Sequence, residues 1–149
     1  MKRMHHIIKG LLLTSFYSVL ATASTNEHGI EVTITGTDGA TGQIIAALYD
    51  SKDSYMKTSV LELVSPAGGD RNVVLDFGNH GPGDYAVVVI YDKNNNGKLD
   101  TGLFRIPTEK VGFSNNAPIR FGPAKWKAAK FSVIDGDVKT NIDLKLKRG

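Results

Sequence analysis

Asp84-Tyr85-Ala86-Val87-Val88-Val89-Ile90-Tyr91 carries the strongest strand signal in the chain. It is rich in β-branched and aromatic residues, the types that fit a pleated surface. Turn chemistry bounds it on both sides, Gly81-Pro82-Gly83 before and Asn95-Asn96-Gly97 after. Residues 43–49, Gln-Ile-Ile-Ala-Ala-Leu-Tyr, are also continuously apolar and suggest a central strand. Residues 30–36 and 72–77 alternate apolar with polar, the pattern of a strand buried on one face. Near the C-terminus, residues 128–134 and 138–146 flank Asp135-Gly136-Asp137, and this Asp-Gly junction predicts a hairpin. Only residues 55–64 leave room for a helical turn or two. Further turns fall at Thr37-Asp38-Gly39 and at Pro66-Ala67-Gly68-Gly69. Short strands at fairly even spacing indicate an all-β fold, a β-sandwich of about seven strands.

The first residues stand apart from this pattern. Lys2, Arg3 and Lys9 precede an apolar stretch over residues 11–20, which ends at Ala21-Thr22-Ala23, and no acidic residue occurs before Glu27. This is the layout of a secretory signal peptide, residues 1–23, followed by a single domain over residues 24–149. The apolar run is too short to span a bilayer, which needs about 20 residues. The expectation is a periplasmic or secreted protein with no transmembrane segment after cleavage. The chain has 18 basic and 15 acidic residues, and removing the three basic ones in the leader leaves 15 against 15. Generic nucleic-acid binding loses its electrostatic basis at zero net charge. There is no Cys, so neither disulfides nor thiol chemistry contribute.

Directly after the opening strand comes Asp92-Lys93-Asn94-Asn95-Asn96-Gly97-Lys98-Leu99-Asp100. A hard cation needs several oxygen donors around one point and a backbone that coils tightly. Asp92, Asn94 and Asn96 supply side-chain oxygens at alternate positions, Gly97 permits the bend, Lys98 offers its carbonyl, and Asp100 closes the set directly or through water. These are positions 1, 3, 5, 6, 7 and 9 of a calcium loop. Position 12, where a bidentate Glu normally sits, is Leu103, and no amphipathic helix follows. The expectation is therefore a Ca²⁺ loop carried by a β-protein, with Glu109, Asp50, Asp76 or water completing the shell. Its affinity should be weak, roughly 10⁻⁴ to 10⁻³ M. The competing reading is a dry Asn-Gly turn, which explains only two or three of these residues.

From this loop onward the chain reads Thr101-Gly102-Leu103-Phe104-Arg105-Ile106-Pro107-Thr108-Glu109, then Gly112-Phe113-Ser114-Asn115-Asn116, Phe121-Gly122-Pro123-Ala124-Lys125-Trp126 and Ala128-Ala129-Lys130-Phe131. With the Asp-x-Asn-x-Asn-Gly-x-x-Asp loop, these segments resemble the DUF2141 family of exported bacterial proteins. The resemblance implies a signal peptide and one Ig-like or transthyretin-like β-sandwich, and it implies no activity. The chain departs from the family pattern at Arg105, where a small residue, often Gly, is expected, and at Trp126, where Phe is usual.

Two further sets of residues are candidates for ligand or partner contact. Phe113, Asn115 and Asn116 form either a binding loop or a turn in which the carboxamides cap backbone while Phe113 plugs the core. Trp126 lies between Lys125 and Lys127, within a basic stretch (Arg105, Lys110, Arg120, Lys125, Lys127, Lys130) whose one acid is Glu109. Such a face suits an anionic envelope component, glycan or lipid headgroup. Of the four His, only His28 and His80 lie beyond the leader, without zinc spacing, and no nucleophile elbow appears. The expected function is a non-catalytic cell-envelope binding or structural module stabilised by Ca²⁺. The alternatives are a carbohydrate- or anionic-lipid-binding protein using the Trp126 face, and a small envelope hydrolase.

Overall fold

A computed structural model describes residues 28–37, 41–68 and 72–143; the expected leader and the end of the expected C-terminal strand lie outside them. Within these residues there are eight strands: β1 (His28–Thr35), β2 (Gln43–Tyr49), β3 (Leu61–Pro66), β4 (Asn72–His80), β5 (Gly83–Asp92), β6 (Lys110–Phe113), β7 (Phe131–Val133) and β8 (Val138–Asp143). They form two sheets, one ordered β4-β1-β8 and the other β3-β2-β5-β6, with β7 also pairing β5. The fold is an all-β sandwich.

β5 explains why its sequence is apolar throughout, because both of its faces are covered. Tyr85, Val87, Val89 and Tyr91 point into the core between the sheets, against Ile30, Val32 and Ile34 of β1 and Ile44, Ala46 and Leu48 of β2. Ala86 and Val88 point the other way, into a second cluster with Val111, Phe113, Ala117, Ala124 and Ala129. A strand sandwiched on both sides loses the alternation that marks one-sided burial. β3, by contrast, alternates half-buried with exposed residues along its whole length, as befits its place at the end of its sheet.

One edge of β5 is shared. β7 pairs with Gly83–Tyr85, and β6 takes over at Val88. In the gap between them the buried Ser114 hydroxyl accepts the Val87 N–H at 2.9 Å and donates to the Ala129 carbonyl at 2.6 Å. A side chain thus fills a missing rung of the ladder, which a buried N–H requires.

The eight strands of the described residues agree with the expected sandwich of about seven, although the four-residue β6 leaves no sequence signal of its own. Three sequence expectations are corrected. Residues 55–64 divide into a turn-rich stretch, closed by Tyr55 N–H to Ser51 O and Thr58 N–H to Ser54 O, and the start of β3. The expected strand over residues 128–134 begins instead as a single helical turn, α1 (Trp126–Ala129), followed by β7. Finally, β7 and β8 are not a hairpin. β8 runs parallel to β1 in the other sheet, so Asp135-Gly136-Asp137 is a crossing between layers. Its turn residues serve that crossing: Asp137 accepts the Gly29 N–H at 2.8 Å, and the Gly136 N–H donates to His28 Nδ1 at 3.0 Å.

Candidate functional site

The 92–100 loop leaves the end of β5 beside the start of β2. Gln43 pairs directly with Asp92 across the antiparallel ladder, so the two side chains share a face. Gln43 Nε2 donates to Asp92 Oδ2 at 2.7 Å. The same carboxylate accepts the Asn96 N–H at 3.1 Å and the Gly97 N–H at 2.7 Å, with the Asn95 N–H as a further donor. Asp92 is fully buried. Burial pushes its carboxyl pKa up, but the Gln43 amide and the three backbone N–H groups outweigh this and hold it below the ordinary value.

Close packing makes this possible. A Cβ on Gly42, whose φ is +89°, would lie 2.5 Å from the Asp92 carbonyl oxygen and 2.8 Å from Lys93 Cα. Only glycine permits the two chains to approach so nearly.

The loop then coils on its own side chains. The Asn96 N–H donates to Asn94 Oδ1 at 3.2 Å, and the Lys98 N–H to Asn96 Oδ1 at 3.0 Å. The carboxamide nitrogens of Asn94 and Asn96 both donate to Asp100, at 2.7 and 2.9 Å. Glu109, itself buried, ties the ends together by accepting the Lys93 N–H at 2.9 Å and the Asp100 N–H at 3.0 Å. All the proposed side-chain ligands are therefore brought together, with Lys98 contributing its N–H to the coil.

The donor set is oxygen only, which suits a hard cation and excludes a thiolate or imidazole metal. Among the described residues, no three His, Asp or Glu side chains converge on one metal position. Both carboxylates also have protein donors on them already. Asp92 accepts from four, about the capacity of a carboxylate, so it organises the loop more than it awaits a ligand. Asp100 is satisfied by two amides that a cation would displace.

Of the substitutes expected for the missing twelfth ligand, only Glu109 reaches the loop. Asp50 follows β2 at the end opposite Gln43 and accepts from Ser54 Oγ, and Asp76 is on β4 in the other sheet, bonded to the Gly78 N–H. Glu109 is committed to backbone, and Leu103 is exposed.

Of the contact candidates, Phe113 is buried, Asn115 Nδ2 donates to the Lys130 carbonyl at 2.7 Å, and Asn116 Oδ1 accepts the Asp143 N–H at 2.8 Å. The two carboxamides cap backbone, and Phe113 packs in the second apolar cluster. Trp126 is half-buried, edge-on to Tyr55 at 5.5 Å, and Lys125 and Lys127 border the same depression. Burial, with the nearby Tyr49, pushes the Tyr55 hydroxyl up to about 12. The basic stretch is not one patch: Lys110 reaches the Gly36 carbonyl and Lys130 pairs with Asp84, leaving Arg105, Arg120, Lys125 and Lys127 exposed.

Sequence reasoning missed an apolar groove of about 370 Å³ on the outer face of β5 and β6. Val88, Ile90, Val111 and Phe113 line it, together with Phe104 and Phe121. Those last two are almost wholly exposed, at 93% and 106% of a free side chain. Phe104 and Arg105 both hold left-handed backbone, φ +58° and +57°. That explains why a small residue is expected at position 105, since glycine adopts this conformation freely. An apolar residue in a turn beside a basic one was the available signal, but sequence alone does not say that it is uncovered.

No curated protein and no solved structure matches the chain. Residues 32–141 match a family model described as an uncharacterized protein conserved in bacteria, and the chain belongs to that family, DUF2141.

Proposed function

We propose that this protein is an exported, non-catalytic β-sandwich module whose 92–100 loop binds Ca²⁺ weakly, with the ion stiffening the loop in a cell-envelope binding or structural role. The observation that carries the reading is the closure of the loop on Asp100, where two carboxamide N–H groups from Asn94 and Asn96 converge on a half-buried carboxylate without cancelling its charge. A cation replacing those two donors finds both Asp100 oxygens, and turning the amides about their side-chain torsions brings further oxygens to the same point. The Lys98 carbonyl and water complete the six to eight oxygens that Ca²⁺ takes. Asp92, expected as the first ligand of the set, supplies the second carboxylate and holds the coil.

Calcium titration by calorimetry, paired with thermal melting, tests this. Asp100→Ala is the diagnostic variant, because Asp100 is only half-buried and bonds no core group through its side chain. The expected result is a saturable heat at millimolar Ca²⁺ and a rise in melting temperature, both lost in Asp100→Ala while its calcium-free melting stays close to that of the parent. At a free ion concentration tenfold above Kd the stabilisation is about 1.4 kcal/mol. A protein that shows neither heat nor shift at millimolar Ca²⁺ does not bind the ion.

A further inference from the structure

The groove on the β5–β6 face is more apolar in its lining than the Trp126 depression, which carries three lysines. Its floor is sheet: Val88 and Ile90 from β5, Val111 and Phe113 from β6. One wall is the segment carrying Phe104, Arg105 and Pro107, and the other carries Phe121 and Pro123. At about 370 Å³ it falls within the roughly 300–1,000 Å³ of small-molecule sites. Among the described residues its lining offers one hydroxyl, Thr101, and one charge, Arg105. A sugar would find almost nothing to hydrogen-bond there.

Two observations set the wall segment apart from an ordinary surface turn. Phe104 and Arg105 sit consecutively in left-handed backbone, which bulky residues seldom adopt. They are held there because the segment is pinned at its neck: the Gly102 N–H donates to the Ile106 carbonyl at 2.8 Å, the Thr108 N–H to the Asp100 carbonyl at 3.0 Å, and Thr101 bridges Pro107. Strain of this kind persists where surrounding structure enforces it and clusters at binding sites. Its effect is to hold Phe104 out in solvent across the groove from Phe121. Each ring touches the groove and would lose its remaining exposure only when something occupies it.

Charge selects the occupant. A shallower depression shares Phe121, Gly122 and Pro123 with the groove and adds Arg120 and Lys125. A third shares Met56 and Pro123 and adds Lys52, Lys125 and Lys127. Among the described residues, no acidic one lines any of the three. An apolar trough with Arg105 in its lining and further cations in the depressions beside it is complementary to an anionic head on an apolar tail.

We infer that the groove binds a free single-chain anionic amphiphile, its acyl chain lying along Val88, Ile90, Val111 and Phe113 between the Phe104 and Phe121 rings, and its head group on Arg105 and Arg120. The recessed floor favours a single chain taken out of water over docking on a lipid surface, which would use only the projecting tips. The inference does not rest on the calcium reading, although Leu99 of the 92–100 loop also lines the groove.

The test is calorimetric titration of the protein, expressed from its full-length sequence, with dodecanoate below its micelle concentration. A chelator keeps the loop free of ion and the ligand from precipitating as its calcium soap. The expected result is one saturable site, weakened at least tenfold by Arg105→Glu and by Phe104→Ser, and at least tenfold weaker for the cationic dodecyltrimethylammonium. Both substitutions are at exposed positions, and unchanged melting temperatures show that the fold is intact. Absence of saturable binding overturns the inference, as does equal binding of the cationic amphiphile or indifference to both variants. Binding to phosphatidylglycerol vesicles without binding of monomeric dodecanoate also overturns it, and assigns the surface to membrane docking.

Discussion

Two adjoining segments leave the same sheet and solve opposite problems. The 92–100 loop is almost entirely polar, and every side chain that gives it shape bonds back to the protein, from the buried Asp92 hub to the Glu109 clamp across its ends. The segment that follows it, over residues 101–107, is apolar at its tip and leaves Leu103 and Phe104 in water. One loop is folded by its own chemistry. The other is held by its neighbours in a conformation in which none of the described residues covers Leu103 or Phe104. A self-satisfied loop keeps its shape with or without an ion, whereas uncovered apolar side chains gain from an occupant that buries them. The comparison therefore moves attention from the motif that sequence makes conspicuous to the groove that it conceals.

Removing the hub should have the largest effect. Asp92→Ala deletes the acceptor for Gln43 and for the N–H groups of Asn95, Asn96 and Gly97. Hydrogen bonds to a charged group contribute about 1.5–3 kcal/mol each in favourable cases, and buried donors left unpaired add to the loss. Water entering the vacated space recovers part of it, so we expect a net loss of about 3 kcal/mol. Thermal melting would then fall by about 10 °C for a domain of this size. A drop of only a degree or two would mean that the coil holds itself without Asp92, and the contrast between the segments would collapse.

Acidification probes the same hub more gently. Because the folded-state pKa of Asp92 lies below its unfolded value, the unfolded chain takes up the proton first as pH falls. The contribution of Asp92 is complete above the ordinary carboxylate range and disappears as pH drops through the folded pKa. Asp84, held low by the Lys130 and Ser132 hydrogen bonds, acts in the same direction, but it is exposed enough for solvent to screen it. Melting temperature followed below about pH 4 should decline more steeply for the parent than for Asp92→Asn. Parallel curves would show that the loop draws nothing from the ionised form.

What the sequence makes legible follows how local each signal is. β5 is readable because burial on both faces writes itself as an unbroken apolar run, and the coil of the 92–100 loop because its Asn and Asp side chains bond within a few residues. Pairing between distant segments is not written locally. Asp135-Gly136-Asp137 has hairpin chemistry, yet its partners are His28 and Gly29, more than a hundred residues earlier. β6 is too short to show a period, and its place on β5 depends on Ser114 filling the gap beside it. Phe113, Phe104 and Phe121 are the same residue type, and only the tertiary structure sends the first to the floor of a groove and the other two to its exposed walls.

The smallest expected effect is the sharpest test of the contrast. Phe104→Ser and Phe121→Ser each remove a large apolar side chain, which in a core costs about 3–5 kcal/mol for truncation to Ala. Here both rings are solvated in the folded protein, so little burial is lost, and exposed positions usually respond within about 0.5 kcal/mol. Melting curves of the two variants should overlay that of the parent within about 2 °C. If instead either variant melts several degrees lower, its ring is covered in solution by a part of the chain outside the described residues or by a second copy. The groove would then be a closed interface rather than an open site. If both overlay, these phenylalanines contribute nothing measurable to folding, and their exposure is left for a ligand to explain.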